Sequence, residues 1–556
     1  MSAASNDARA ASSRDAASAG RSEELVIVAG GGPIGMAVAI DLALRGVRTV
    51  VLESRFADES FGPRTNQTNS RSMEHFRRWG IADRLRSNDP IDPELKRDVR
   101  FTTRVVGGYT LANLEGGVEW AARFPFAAET PEWAPNPAIE KTFRDRVAEL
   151  DLIDLRFGIE VTGFIQTDDG VTVEFVDRDG TTGSVHGAFL VAADGSRSTV
   201  RRQLGVKLEG LPNLVTAMAW HVHAPALKEL ARPTGLSAFY WLINEDRTGL
   251  IVFAQDSEDT YLFFDAPAPA GVDPDDWTSV RDYYVAQIGA DLELESLGGG
   301  QLMVHSVMAP RYDYGRVLLA GDAAHLISPY GGFGMNIGIG DAADIGWKLA
   351  AILQGWGGDA LIPSYSVERR EAETWILDVC AKNTSLIGPT MTRDHMEQEG
   401  PIGEAARNEV TALIFEKKVS ELKSMGAQLG YQYNESPIVV HQPDPPQSTA
   451  GDYIPTASPG SRLPHVWLDE TTSLYDRLGP WFTLITTVDG VDTSGLEAAA
   501  RDRGVPLEVY APGHPDLAEM YEAKLVLVRP DQHVAWRGDA VPEDAEGLID
   551  LVRGHV

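Results

Sequence analysis

The chain has 556 residues, 43% of them hydrophobic and 23% charged, which is typical of a globular protein too long for one hydrophobic core. Its formal net charge of -32 argues against a nucleic-acid partner, because a polyphosphate would be repelled. Cys380 is its one cysteine, which excludes an internal disulfide and a multi-thiolate metal centre.

The N-terminal residues 1–22 are mostly Ala, Ser, Asp and Arg without an apolar stretch, so they do not predict a secretory signal. Their Arg, Ser and Ala content is similar to that of a transit peptide, but Asp7 and Asp15 count against that alternative, and we expect a disordered tail. No apolar run reaches the roughly eighteen residues that predict a membrane span. We therefore expect a cytoplasmic protein with no membrane partner and no metal site.

The first predicted element is a strand–turn–helix unit with a glycine-rich turn. Residues 24–29 (ELVIVA) form the strand, GGGPIG the turn and IGMAVAIDLALRG the helix. Gly30 permits the tight turn, Gly32 admits a pyrophosphate and Gly35 lets helix and strand pack closely. Glu53 ends the next strand, where it can accept hydrogen bonds from an adenosine ribose. The unit predicts dinucleotide binding.

Helices and a hairpin follow. Residues 62–81 predict a polar loop entering an amphipathic helix, and residues 136–150 predict a second helix. Residues 162–176 predict a hairpin with an Asp-Asp-Gly turn. A buried strand, AFLVAA, then ends at Asp194-Gly195.

Residues 211–300 contain short aromatic-rich strands separated by polar turns, a pattern typical of an antiparallel sheet. Trp220, Tyr240 and Phe253 lie in these strands. They either line a pocket for a flat apolar ligand or form ordinary sheet core, and the sequence leaves both open.

Residues 317–348 predict a strand, a Pro/Gly-rich loop (SPYGGFG) and a helix that begins near Met335. Asp322 stands where the strand ends. A carboxylate followed by the exposed amides of a helix N-terminus can bind a ligand that has a polyol chain and a dipolar head group. An ordinary strand–loop–helix junction is the alternative.

The rest of the chain predicts three segments. Residues 342–440 are mostly helical, and residues 443–464 are rich in Pro, Gly and Ser, as a linker is. Residues 466–556 predict a separate unit of alternating strands and helices.

Three motifs carry a family resemblance: GGGPIG with Glu53, VAADGSRSTVRRQLG, and LLAGDAAHLISPYGGFGMN. Together they resemble the group A FAD-dependent aromatic hydroxylases, the flavoprotein monooxygenase family of p-hydroxybenzoate hydroxylase and phenol hydroxylase. The resemblance spans roughly residues 24–375. The C-terminal unit is similar to the thioredoxin-like tail of the phenol hydroxylase branch, but it lacks cysteine and cannot run thiol exchange.

The resemblance implies an α/β fold class. Its parts are a Rossmann-like FAD-binding domain, an inserted antiparallel-sheet substrate domain and a C-terminal thioredoxin-like domain. The expected division is residues 24–103, 136–210 and 301–388 for the FAD-binding domain, 104–135 and 211–300 for the substrate domain, 389–442 for a helical segment, 443–465 for the linker and 466–556 for the C-terminal domain.

The resemblance also implies roles for individual residues. The implied cofactor-binding residues are Gly30, Gly32, Pro33, Ile34, Gly35, Glu53, Arg64, Asn136, Asp194, Gly195, Asp322, Pro329, Gly334, Met335 and Asn336. The expected substrate-pocket residues are Trp220, Tyr240, Phe253, Tyr330 and Phe333, and the expected catalytic positions are Pro329, Phe333 and Tyr240.

Three positions depart from the family pattern. Asn136 stands where a glutamine is usual, and Phe333 replaces the glutamine of a common GGQG loop. Ser54 replaces a common arginine, with Arg55 one residue further on.

The implied reaction is the hydroxylation of a phenolic or polycyclic aromatic substrate. NADPH or NADH would reduce FAD, molecular oxygen would form a C4a-hydroperoxyflavin, and an OH group would pass to the ring. No second GxGxxG unit is present in the sequence, so the nicotinamide is expected to dock transiently. His221, His223, Tyr240 and Arg247 are open alternatives for a group that favours phenolate.

Two other functions remain open from the sequence. A Baeyer–Villiger oxygen insertion uses the same fold, and a flavin-binding interaction module would not turn over at all. A homodimer is a further possibility.

Overall fold

The computed structural model describes residues 25–59, 67–117, 124–385 and 391–555, and the strands within these ranges form four sheets. In the same ranges, no helix combines the length and the apolarity that crossing a membrane would require. The predicted α/β fold class is confirmed.

A six-stranded sheet forms the first layer and is parallel except at one edge. Its central strands are continuous apolar runs, because helices and a small antiparallel sheet bury both of its faces. In spatial order its strands are Asp313–Tyr314, Val317–Leu319, Phe189–Ala192, Leu25–Ala29, Arg48–Glu53 and Ile153–Phe157.

Helices and a three-stranded antiparallel sheet surround this first layer. The predicted hairpin belongs to the small sheet, whose strands are Ile159–Gln166, Val171–Asp177 and Thr182–Gly187. The helices Pro33–Ala43 and Gly334–Leu353 cross closely at Gly346, where a Cβ would lie 2.1 Å from Oδ2 of Asp41. The helices are Pro33–Ala43, Ser70–Trp79, Ala82–Ser87, Asn136–Val147, Thr199–Gln203, Gly334–Leu353 and Leu361–Ser385.

An eight-stranded sheet forms the second layer, and the predicted antiparallel sheet is its main part. One pair of strands in it, Val99–Thr102 with Phe239–Leu242, is parallel. In spatial order the strands are His325–Leu326, Glu295–Met308, Glu209–His223, Thr260–Asp265, Leu250–Ala254, Phe239–Leu242, Val99–Thr102 and Thr110–Leu114.

The predicted helical segment after residue 389 packs onto this second layer. Met391, Met396, Val410 and Ile414 are buried in the same core as the sheet. The helical elements on this side are Leu227–Ala231, Trp277–Ile288, Pro401–Leu413, the π-helical turn Ile414–Lys418, Val419–Leu422 and Met425–Leu429.

The C-terminal unit contains the predicted strands and helices. Its strands are Leu507–Tyr510, Phe482–Thr486, Leu525–Val528 and Val534–Gly538 in spatial order, and its helices are Ser494–Asp502, Leu517–Tyr521 and Ala545–Val552. A 3-10 turn in this unit lies at Leu474–Arg477, and two others lie earlier in the chain at Glu115–Gly117 and Gly321–Ala323. Trp347 and Trp356 of the first layer pack into the same core as Phe482 and Leu525, so the unit shares its interior with that layer.

Of the expected linker 443–465, residues 443–455 are exposed or half-buried, whereas residues 456–465 are buried. The guanidinium of Arg462 is fully buried and donates to both carboxylate oxygens of Glu74, with Nε 2.9 Å from Oε2. The hydroxyl of Tyr521 donates to the carbonyl of Pro464 at 2.7 Å. This segment is therefore a structural connection between the first layer and the C-terminal unit.

Candidate active site

The glycine-rich turn lies at the carboxyl end of the central strand Leu25–Ala29. Gly30 has a φ of +99°, and a Cβ there would lie 2.3 Å from the carbonyl oxygen of Ala193. A Cβ at Gly35 would lie 1.9 Å from the carbonyl oxygen of Gly30. Neither position can hold a side chain without moving backbone, so the turn depends on both glycines.

The helix that follows points its N-terminus into a cavity of about 380 Å³. Gly32, Pro33 and Ile34 line the cavity, and no side chain caps the helix at Gly32. The uncapped amides and the positive end of the helix dipole favour a phosphate group at this point.

Glu53 lies at the end of the neighbouring strand, behind the residues that line the cavity, and stabilises the glycine-rich turn by a hydrogen bond. Its Oε2 accepts from the amide of Gly31 at 2.7 Å. Its Oε1 accepts from Nε of Arg55 at 3.0 Å, and Arg55 also pairs with Glu140 at 3.2 Å. Arg55 thus supplies a guanidinium beside Glu53, although Ser54 stands at the position where an arginine was expected.

Asp194 follows the strand Phe189–Ala192 and caps a short helix. Its Oδ2 accepts from the amide of Thr199 at 2.8 Å, whereas its Oδ1 is buried and has no hydrogen-bond partner. Gly195, with a φ of +79°, lines the cavity. Ala193 also lines the cavity, so the backbone of this turn, and not the buried Oδ1 of Asp194, faces a ligand.

Arg201 connects this stretch, the second motif, to the third motif, LLAGDAAHLISPYGGFGMN. It donates to the carbonyl of Ser196 at 2.7 Å and to the carbonyl of Ala323 at 2.9 Å. Arg201 could be recognised in the basic run VRR, but its contact with Ala323 could not be predicted, because the two residues are more than a hundred positions apart in the sequence.

Asp322 and Pro329 are exposed side chains on the cavity wall. Asp322 lies in the turn after the strand Val317–Leu319, and the preceding amide, that of Gly321, donates to Oδ2 of Asp341 at 2.9 Å. The carbonyl of Pro329 accepts from the amide of Gly332 at 3.0 Å, which closes a tight turn. The loop therefore presents a carboxylate and a rigid proline turn to a ligand.

The helix Gly334–Leu353 begins at this loop without a side-chain cap, and Gly334 and Met335 line the cavity. Asn336 has a structural task instead. Its Oδ1 accepts from the amide of Asn69 at 2.9 Å and its Nδ2 donates to the carbonyl of Gly332 at 2.6 Å. It fastens the loop to the helix Ser70–Trp79.

The opposite wall of the cavity is aromatic and comes from one face of the large sheet. The ring centroids of Phe239 and Phe253 are 4.2 Å apart, and that of Trp133 lies 5.4 Å from Phe239. Residues of this sheet that line the cavity are Val99, Phe239, Trp241, Ile251, Phe253, Leu262 and Phe264. Tyr330 of the loop contacts Trp241, with ring centroids 6.2 Å apart. The cavity thus joins the glycine-rich turn to a flat apolar chamber.

Two expected pocket residues, Trp220 and Tyr240, face away from this chamber. Cross-strand pairing puts Tyr240 opposite Val252, Val252 opposite Phe263, and Phe263 opposite Trp220. Because side chains alternate along a strand, this row occupies the face behind Phe239 and Phe253. The hydroxyl of Tyr240 donates to the carbonyl of Gly235 at 3.0 Å, and Trp220 packs against Trp277.

Phe333, expected in the pocket and at a catalytic position, packs beneath the loop. It is 2% exposed and lies in an apolar cluster with Ile337, Ile376 and Cys380. Gly331 and Gly332 both have positive φ angles of +108° and +68°, and this turn directs the next side chain behind the helix rather than into the large cavity.

The other expected residues divide between the wall and the interior. Asn136 lines the cavity at the start of its helix, and Arg64 falls outside the described residues. His221, whose pKa burial lowers to about 4, and His223 are not among the described wall residues. Arg247 pairs with the buried Asp265.

Three wall residues carried no recognisable signal in the sequence. Gln67 stands in the polar loop before a helix, Trp133 in an irregular segment and Glu421 in the helical region after residue 389. Each reaches the cavity only through long-range packing, which local patterns do not encode.

Comparisons with known proteins cover nearly the whole chain. The family model described as FAD binding domain matches residues 23–379, and the model described as Aromatic-ring hydroxylase, C-terminal, matches residues 456–554. The chain is 32% identical to FAD-dependent monooxygenase apdD of Emericella nidulans, over 95% of this chain and 90% of that protein.

Two solved structures show the same architecture. The rebeccamycin biosynthetic enzyme RebC with reduced flavin has a TM-score of 0.87 at 34% identity, covering 96% of this chain and 99% of RebC. The ternary complex of aklavinone-11 hydroxylase with FAD and aklavinone has a TM-score of 0.79 at 28% identity, covering 95% of this chain and 99% of that protein.

Proposed function

The chain belongs to the FAD-dependent aromatic hydroxylases and is a FAD-dependent monooxygenase, and from that premise we propose that it hydroxylates a phenolic or polycyclic aromatic substrate. Molecular oxygen would be the second substrate and NADPH or NADH the electron donor. The observation that carries the proposal is the single cavity that joins a dinucleotide turn to an aromatic chamber.

The residues on the cofactor side fit FAD. The uncapped amides at Gly32 would meet the pyrophosphate, Asp322 the ribityl hydroxyls, and the helix start at Gly334 and Met335 the carbonyl groups of the flavin ring. At Gly30 a Cβ would lie 2.3 Å from the carbonyl oxygen of Ala193, so glycine keeps this end of the cavity free of side chains. When bound, FAD supplies hydride acceptance from the nicotinamide and the activation of oxygen.

The residues on the aromatic side would orient a flat ring and keep water away from the reaction. Phe239, Phe253 and Phe264 offer ring faces and edges, and the aliphatic Ile251 and Leu262 lie beside them. Aromatic rings favour offset stacking or edge contacts, so a planar substrate is held by its faces. Exclusion of water strengthens the dipoles that the loop and the helix start direct at the site.

Support for a polycyclic substrate comes from the similar structures. Aklavinone-11 hydroxylase binds FAD and aklavinone on the same architecture. We extend that substrate class, an aromatic polyketide, to this chain because the chamber wall is formed by rings from three neighbouring strands and the Tyr330 loop.

The test is a screen of phenols and polycyclic aromatics for faster reduction of the bound flavin by NADPH or NADH, followed by mass spectrometry of the products. We expect at least one polycyclic phenol to accelerate flavin reduction and to gain one hydroxyl group. Flavin reduction that no compound accelerates would support a non-catalytic flavin-binding module, and an inserted ester oxygen would support Baeyer–Villiger chemistry.

A further inference from the structure

The aromatic chamber contains one carboxylate whose purpose the proposed reaction leaves open. Among the described residues that line the cavity, Asp322 and Glu421 carry carboxylates. Asp322 belongs to the glycine-rich side, whereas Glu421 follows the π-helical turn Ile414–Lys418 on the aromatic side. π-helical turns occur frequently at functional sites.

Glu421 is held in a buried ion pair. Oε2 of Glu421 lies 3.0 Å from Nζ of Lys418, and the two side chains are 5% and 1% exposed. Nζ of Lys418 lies 4.2 Å from the ring centroid of Trp241 and 5.6 Å from that of Tyr330. A buried ion pair is often no more stable than two apolar side chains of similar size, so stability alone does not explain this pair.

Tyr330 provides an independent observation. Its side chain is 3% exposed and its hydroxyl has no hydrogen-bond partner. Burial raises the pKa of Tyr330 well above its ordinary value, and the charge of Glu421 adds to the rise. A buried hydroxyl without a partner costs free energy, which a ligand atom placed beside it would recover.

We propose that Glu421, Lys418 and Tyr330 form a polar anchor for one hydroxyl group of the aromatic substrate. Glu421 accepts a hydrogen bond from the substrate O–H, and the hydroxyl of Tyr330 donates to the same oxygen. Lys418 positions the Glu421 carboxylate. The anchor rests on the proposed function, because it needs an aromatic ring in the chamber, and it selects hydroxylated rings over ethers of the same shape.

The test measures binding of two probes, β-naphthol and its methyl ether, to the FAD-loaded full chain through the change in flavin absorbance. A hydrogen bond to a charged group predicts that wild-type protein prefers the naphthol by at least about tenfold. In E421Q, and in the double variant K418M/E421L, the preference should fall below about threefold while binding of the ether stays the same. The double variant leaves no unpaired buried charge and so protects the fold.

Glu416→Gln is the matched control, because Glu416 is an exposed carboxylate on the same helical segment. It should retain the wild-type preference, and Tyr330→Phe should weaken binding of both probes, because either oxygen can accept from the tyrosine hydroxyl. An undiminished preference in E421Q and K418M/E421L would overturn the anchor while leaving the proposed function intact. Wild-type protein that binds neither ring would contradict the proposed function and the anchor together.

Discussion

A methyl group added at Gly30 would clash with backbone atoms of Ala193, which cannot move aside as a flexible side chain can. Gly30 and Gly46 both have positive φ angles, +99° and +83°, but only at Gly30 does a Cβ come within 4 Å of other atoms. Gly30→Ala should therefore reduce bound FAD by more than about tenfold, whereas Gly46→Ala should cost only the ~1–2 kcal/mol of left-handed strain. The ratio of flavin to protein absorbance after purification measures the difference.

Equal flavin content in the two alanine variants would contradict this reading of the turn. A fall in both variants with a common loss of thermal stability would point instead to general unfolding, which the Tm of each variant detects.

His325 lies beneath the loop that carries Asp322 and is fully buried. Its Nε2 lies 3.0 Å from Oδ2 of Asp341 and 3.7 Å from Oε1 of Glu373. Burial alone would lower the pKa of His325, but Glu373 and Asp341 outweigh burial and raise it from 6.5 to about 9. The charged imidazolium thus belongs to the folded protein at neutral pH.

A raised folded-state pKa stabilises the protein fully below the unfolded pKa of 6.5, and this stability is lost as pH rises through about 9. The difference in unfolding free energy between wild type and His325→Gln should therefore be largest near neutral and acidic pH and should shrink towards alkaline pH. Urea unfolding across this range measures it, with His186→Gln, an exposed histidine, as control. A difference that grows with pH would contradict the assignment.

At the scale of single elements, the strand Phe239–Leu242 shows where sequence patterns stop being informative. All four of its residues are apolar or aromatic, so no alternation of polar and apolar side chains marks its inner face. The register with Val252 and Phe263 decides that Phe239 and Trp241, rather than Tyr240, face the cavity. That pairing is a long-range property which the strand itself does not encode.

Arg529 joins the C-terminal sheet to two helices of the first layer. Its guanidinium is fully buried and lies 2.6 Å from Glu368, 3.1 Å from Asp344 and 2.7 Å from Asp531. Lys348 is the second cation of the cluster, 2.6 Å from Glu368. Arg529 and Lys348 neutralise the negative charge of Asp344, Glu368 and Asp531. Without these cations, the three carboxylates would be close enough together to bind a metal ion.

Arg529→Met should destabilise the protein by about 3–5 kcal/mol, because it leaves the buried carboxylates of Asp344, Glu368 and Asp531 without their shared guanidinium. Loss of flavin should accompany unfolding, since Asp344 lies on the helix that begins at the cavity. Urea unfolding followed by flavin fluorescence measures both, with the exposed Arg501→Met as control. Stability equal to that of the control would show that the cluster does not hold the two units together.

At the scale of the whole molecule, the elements that could be predicted from the sequence are those marked by a short pattern of neighbouring residues. The turn at Gly30, the strand before Asp194 and the helix start near Met335 each depend on a short pattern of glycines and apolar runs, and the structure has them in place. The burial of residues 456–465 could not be predicted, because their composition is that of a linker and they are held by the distant pair of Arg462 with Glu74.

In the proposed reaction one cavity holds FAD at its glycine-rich end and the substrate ring at its aromatic end. The most direct measurement is turnover of the FAD-loaded protein with NADPH or NADH, a polycyclic phenol that accelerates flavin reduction, and isotopically labelled molecular oxygen. Mass spectrometry of the product should show one labelled oxygen atom bound to a ring carbon as a hydroxyl group. Label found in an inserted ester, or no label in any product, would contradict aromatic hydroxylation by this chain.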